Sequence, residues 1–284
     1  MVFLIVVLAI FFALNMGASS FAASFAAGYG GKVISRSSAR LYFLFFVVVG
    51  AVVLGKNVSL TLREDLIPPE FIVQKALIII FLSSGLSMFV ANIMKIPQTT
   101  SIVSVAAIAG VGAFFGVLNM QTIYLFIPYW IILPILCYGL TYFLTGLIYP
   151  PRKTNFWIYQ KFINHQDKLK AFVIITSCYN AFSVGTNNVA NVVGPLLAAT
   201  NIPIISLLII FAVFYGLGAF VFSGPIKTAG NKIVPLGLLT ASMISLVSGT
   251  LMLIASIVGI PQSFVMLKMG ALFAISTLKD GGDF

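Results

Sequence analysis

Acidic residues are nearly missing from this 284-residue chain: six carboxylates stand against sixteen Lys and Arg, and charges of both signs make up only 8% of it. A protein dissolved in water could not cover a surface of this size with so little charge, which excludes a soluble bundle. Histidine occurs once, as His165 in the polar stretch Asn164-His165-Gln166-Asp167, and reads as a solvated loop residue. The two cysteines, Cys137 and Cys178, both sit in apolar runs, so neither a disulfide framework nor a metal cluster is indicated. No nucleophile–base pair, metal-ligand set or nucleotide-binding loop is present, so no catalytic residue and no cofactor is expected. Basic residues do not interleave with aromatics as a nucleic-acid groove requires. The net charge of +10 is therefore assigned to loops on one membrane face, and nucleic acid is not expected as a partner.

What is plentiful is apolar: 60% of the residues are hydrophobic and the mean hydropathy is +1.11. A span needs roughly 20 apolar residues. Such runs fall at 1–30, 39–55, 71–94, 97–118, 123–149, 169–199, 202–224, 234–258 and 261–278. The first run lacks a basic n-region and a cleavage site and reads as a span, not a removable signal. The fold class is an all-α polytopic membrane protein, with the lipid bilayer as its first partner. The sequence leaves the oligomeric state open, a homo-oligomer included.

The second half copies the first. Gly185-Thr186-Asn187-Asn188-Val189-Ala190-Asn191 aligns with Gly17-Ala18-Ser19-Ser20-Phe21-Ala22-Ala23 at an offset of 168 residues. Ile96-Pro97-Gln98-Thr99 returns as Ile260-Pro261-Gln262-Ser263 at 164. Two nearly equal offsets predict one repeat of about five segments: repeat one at 1–149, a cytoplasmic linker at 150–168, and repeat two at 169–284. An odd number of crossings per repeat inverts the second copy. Small and amide residues interrupting apolar runs at matching places predict broken or re-entrant helices around a central substrate site, and hence a transporter. The counterpart of 123–149 would begin near residue 287, so the second repeat is expected to lack its last span, which lies beyond residue 284 or comes from a neighbouring subunit.

Basic residues orient the repeats. With the N-terminus outside, Lys32, Arg36, Arg40, Lys95, Arg152, Lys153, Lys161, Lys168, Lys170, Lys227, Lys232 and Lys279 fall inside, whereas Lys56, Arg63 and Lys75 fall outside. All six acids, Glu64, Asp65, Glu70, Asp167, Asp280 and Asp283, fall in predicted loops. Trp130 and Trp157 read as interfacial anchors, Pro128 and Pro134 as a hinge within one span, and Gly110, Gly112 and Gly116 as close-packing positions.

Gly185-Thr186-Asn187-Asn188-Val189-Ala190-Asn191, followed by Gly194-Pro195-Leu196, resembles the Gly-Ala-Asn-Asp-Val-Ala-Asn signature of the inorganic phosphate transporter family. Pro97-Gln98-Thr99-Thr100-Ser101 resembles that family's Pro-x-Ser-Thr-Thr-His segment, and Pro261-Gln262-Ser263 is its weaker partner. The resemblance implies a secondary permease of a tetrahedral oxyanion at the plasma membrane. The chain departs from the signature at its aspartate, which is Ser20 in repeat one and Asn188 in repeat two. Hydrogen phosphate can donate its remaining proton to a carboxylate; sulfate offers acceptors only and is repelled by one. An all-donor site favours sulfate, and the whole pattern is similar to the sulfate permease branch of the family. A phosphate permease and an anion channel are the alternatives. The residues expected around the substrate are Ser19, Ser20, Thr99, Thr100, Ser101, Gly185, Thr186, Asn187, Asn188, Asn191 and Ser263, with Thr99 to Ser101 and Ser263 opening helices whose N–H groups face the anion. Lys268, a charge inside a span, is expected to act as a fixed counter-charge for the anion or to snorkel to the inner face. The coupling ion, proton or sodium, is open.

Overall fold

In lipid a backbone must satisfy its own hydrogen bonds, which leaves the helix as the economical answer for each apolar run. The computed structural model describes residues 1–96, 98–148, 153, 155–163, 165–221 and 237–279, and the regular elements among them are helices. In chain order they are α1 (Val2–Gly30), α2 (Arg36–Glu64), a 3-10 turn (Pro69–Phe71), α3 (Gln74–Met94), α4 (Thr100–Phe115) and α5 (Met120–Gly146). There follow α6 (Phe156–Ile163), α7 (Gln166–Asn188), α8 (Ala190–Ala199), α9 (Ile204–Val221), α10 (Leu238–Val258) and α11 (Phe264–Lys279). Pro97, Arg152, Lys227, Lys232, Asp280 and Asp283 lie outside the described residues.

Helices α1, α2, α3, α5, α9 and α10 are long and apolar enough to cross a membrane. The expected spans at 97–118 and 261–278 are corrected: α4 and α11 have 16 residues each. That is about 24 Å of helix, short of the roughly 30 Å hydrocarbon core. The expected break within the first motif is corrected too. α1 runs unbroken through Gly17–Ala23, because small residues cost a membrane helix no backbone hydrogen bond. The second motif is interrupted only at Val189, which keeps right-handed helical angles.

The irregular backbone lies instead before the two short helices. α3 ends at Lys95 with φ 59°, and α10 ends 164 residues later at Gly259 with φ 82°. Ile96 N–H donates to Ala91 O, and Ile260 N–H to Ala255 O, both at 2.9 Å. The same helix stop is thus built twice. The boundaries of α3 and α10, and of α4 and α11, follow that offset residue for residue.

Packing obeys the same arithmetic. α1 lies on α9 and α2 on α7; α3 flanks α1 as α10 flanks α7. Glycines let these backbones touch. Gly17 faces the Tyr215 carbonyl and Gly185, 168 residues on, faces the Val47 carbonyl. Gly218 faces Leu14 O and Gly50 faces Phe182 O, again at that spacing. Of the glycines expected to serve packing in α4, Gly112 does so against Ile67 and Leu118, Gly110 meets open space, and Gly116 at φ 70° ends the helix.

Hydrogen bonds and glycine contacts bring several turns together. Asn119 N–H donates to Leu66 O, and Thr122 Oγ1 to Asp65 O, so the turns after α2 and after α4 share one end. Asn57 Nδ2 donates to Ile257 O, tying the last turn of α10 to α2 about two helical turns before α2 ends. Gly31 lies against Leu238, pairing the α1–α2 turn with the start of α10. α5 packs on α10 and α11, not on its sequence neighbours. Trp130, expected as an interfacial anchor, donates from Nε1 to Pro261 O at 2.8 Å. The expected hinge residue Pro134 presents its carbonyl to Gly270 of α11.

Candidate substrate site

Extended backbone inside a membrane protein is tolerated only where side chains replace the missing helical bonds. Around Ile260-Pro261-Gln262 they do. Asn187 Nδ2 donates to Ile260 O at 2.9 Å, Trp130 to Pro261 O, Ser101 Oγ to Gln262 O at 3.0 Å, and Gln262 N–H donates to Asn187 Oδ1 at 2.9 Å. The second motif therefore holds the Pro-Gln segment of its own repeat, and α4 of the other repeat closes the frame. Pro195 has no N–H to give the carbonyl one turn earlier, at Asn191. Ser104 Oγ of α4 donates there instead, at 3.1 Å.

A polar chain then crosses between the repeats. Asn188 Nδ2 donates to the Tyr215 hydroxyl at 3.3 Å, and Tyr215 donates to Ser20 Oγ at 2.6 Å. Ser20 and Asn188 occupy the same motif position, and Tyr215 bridges them. Asn191 Nδ2 donates to Ser101 Oγ at 3.3 Å, drawing the start of α4 into the cluster. Ser20, Thr100, Ser101, Asn187, Asn188, Asn191, Tyr215, Gln262 and Ser263 are all buried. Asn191 Oδ1 and both polar atoms of the Gln262 amide have no protein partner. Buried amides left this way mark the place where a polar ligand or water belongs.

Not every expected residue faces that place. Ser19 is half-buried beside the cluster, and Thr99 is half-buried at the N-cap of α4. Thr100 is the first residue of α4. Ser263 opens α11 but spends its Oγ on the Met266 N–H at 3.1 Å, so one of the N–H groups expected to face the anion is already capped. Asn187 has both amide atoms engaged, Thr186 donates to Ser183 O and Ser256 Oγ, and Gly185 serves helix contact. These three position the site. Lys268 is buried on α11 and donates to Ser245 Oγ at 3.1 Å, not to a member of the cluster. Sequence reasoning missed Tyr215, Gln262 and Ser104. Gln262 stood in a repeated Pro-Gln word and could have been found; Tyr215 had no echo, since its counterpart is Val47.

The chain matches the phosphate transporter family over residues 16–283. It belongs to that family. The transporter is 31% identical over 278 residues to the sulfate permease CysP of Bacillus subtilis, covering 97% of this chain and 77% of that one. It is 23% identical to the putative phosphate permease MJ0630 of Methanocaldococcus jannaschii, covering 93% and 81%. Among solved structures, one described as the sodium-dependent phosphate transporter superposes with a TM-score of 0.85 over 99% of this chain and 90% of that chain, at 19% identity. At that identity the likeness speaks for the fold. The transporter is a multi-pass membrane permease and not an enzyme.

The Tyr215 bridge can be tested directly. Tyr215→Phe keeps the ring against Phe43, 6.2 Å between centroids, and removes the hydroxyl that Ser20 and Asn188 share. Thermal unfolding of the purified variant should show a loss of about 1–3 kcal/mol, the cost of unpaired buried groups. Unchanged stability would mean that the bridge contributes nothing.

Proposed function

We propose that the transporter imports a tetrahedral oxyanion, sulfate in preference to phosphate, by alternating access across the plasma membrane. The observation that carries this reading is the makeup of the cluster: hydroxyls, amides and backbone, without a carboxylate. Ser20 and Asn188 stand where the family signature has aspartate. Glu64, Asp65, Glu70 and Asp167, the four acids among the described residues, lie at helix ends or turns. A fully ionised dianion meets donors there and no like charge. The repeated helix stops and glycine contacts support two inverted repeats about a pseudo-two-fold axis in the membrane plane. The basic loops then orient the N-terminus outside. Burial of the whole cluster matches an occluded state, shut to both sides. Coupling to a proton or to sodium, as a symporter, completes the scheme.

Uptake of radiolabelled sulfate by the full-length protein, in cells without their own sulfate importers and with phosphate as competitor, tests the substrate. Robust phosphate uptake with no sulfate uptake would favour the phosphate permease that other relatives are described as being. Saturation and counterflow separate a permease from a channel. Ser101→Ala removes the hydroxyl that joins α4, Asn191 and the Pro-Gln backbone. It should weaken sulfate binding about tenfold, or 1–2 kcal/mol, measured by sulfate-induced thermal stabilisation; a full-sized sulfate response would speak against a role for α4.

A further inference from the structure

The two repeats match in backbone but not in one layer of side chains. In repeat one, Phe12 of α1 and Phe81 of α3 form an aromatic pair with centroids 6.4 Å apart. Their counterparts at the repeat offsets are Asn180 of α7 and Ser245 of α10, and the counterpart of Ser104 in α4 is Lys268 in α11. A dry pair in one half is thus a polar nest around an ammonium group in the other. Lys268 Nζ donates to Ser245 Oγ at 3.1 Å and lies 5.4 Å from the centre of the Phe264 ring. With the Asn180 amide turned to satisfy both its atoms, its nitrogen donates to Ser245 O at 2.8 Å and its oxygen accepts from Lys268 at 3.1 Å. Two oxygens and an aromatic face make a cation site, and the cation is the end of a side chain.

That site opens on a small cavity lined by Ser24, Ala27, Ser245 and Lys268. Ser24 Oγ is buried there without a partner. Ser24 is one helical turn from Ser20, about 6 Å along α1, which sets the cavity about one turn from the Ser20 end of the Tyr215 bridge. No carboxylate among the described residues reaches it. A buried charge lacking a counter-ion is expensive and marks function in a membrane protein.

We propose that Lys268 is a tethered cation: it occupies, in the second repeat alone, the place of a bound monovalent cation and supplies the positive charge that a transported oxyanion needs. This rests on the oxyanion reading above and adds to it the source of charge balance. The ammonium group acts across the Ser24 cavity rather than by touching the anion, and no sodium ion is required at this position.

The experiment uses the full-length protein in proteoliposomes, comparing wild type, Lys268→Ala and Lys268→Arg, with sulfate and phosphate assayed separately. Lys268→Ala should lose at least tenfold in uptake of whichever anion the wild type carries, and lose the anion-induced rise in melting temperature. Without anion it should melt no lower than wild type, because an unbalanced charge has been removed. Millimolar methylammonium, small enough for the space the lysine side chain leaves, sets a cation on Asn180 and Ser245 and should restore uptake several-fold. Lys268→Arg should retain part of it. A folded Lys268→Ala protein that transports at the wild-type rate, or that methylammonium does not rescue, overturns the tethered cation while leaving the oxyanion reading intact. A wild type that responds to neither anion overturns both.

Discussion

An aspartate at position 188 should reduce sulfate uptake by two or more orders of magnitude. Asn188 is fully buried and donates through Tyr215 to Ser20. Asn188→Asp removes that donor and sets a carboxylate beside a dianion in a site from which water is excluded. An uncompensated buried charge costs about 3–5 kcal/mol, which is about two to nearly four decades in binding. Ser20→Asp should behave alike, because the same hydroxyl joins the two. Phosphate should lose less, or gain, because its remaining proton can be given to the new carboxylate. Uptake of both labelled anions by the same vesicles decides the matter. Equal losses for sulfate and phosphate would mean that the missing carboxylate does not set the preference.

The second large effect is expected from a single methyl group. Gly185→Ala places a Cβ against the Val47 backbone carbonyl, and Gly17→Ala places one against that of Tyr215. Neither obstacle is a flexible side-chain end, so the helices must separate, at about 1–3 kcal/mol for overpacking. Transport should fall further than stability, since Asn187 and Asn188 lie within one helical turn of Gly185 and would move with it. Gly110→Ala is the control: nothing lies within 4 Å of the added carbon, and its melting temperature should stay level or rise slightly. Thermal unfolding of the three variants in one detergent tests the set. Similar behaviour of Gly185→Ala and Gly110→Ala would remove the packing argument.

The helices were largely legible in the sequence because lipid imposes one rule on every apolar run. Where hydropathy alone was read, the outcome was weaker. Residues 97–118 and 261–278 have the composition of spans, but a proline-led start shortens the helix that follows. The meeting of Ser20 with Asn188 was legible because the repeat marked that position twice, whereas Asn191 and Ser101 were marked only by their resemblance to the family's words. Division of labour within the motif was not. Asn187 and Asn188 are neighbours of one type, and only the fold shows that the first holds backbone while the second reaches Tyr215. Tyr215 itself was invisible, a lone tyrosine in an apolar helix with valine at its matching place. Lys268 stood out as a charge within a span, yet its partners Asn180 and Ser245 could not be named before α7 and α10 were seen side by side.

The position of α5 bears on how the molecule is made. This helix ends at Gly146, yet the helices on which it rests begin only at Leu238 and Phe264. During synthesis it enters the bilayer long before its seat exists. The Trp130 bond to Pro261 and the contact of Pro134 with Gly270 can form only once residues 261 and 270 have emerged. The first half is therefore no finished module that a second half later joins. It reaches an arm across to its twin, as exchanged segments do between swapped dimers, and the seat of α5 cannot close in the membrane until α10 and α11 are made.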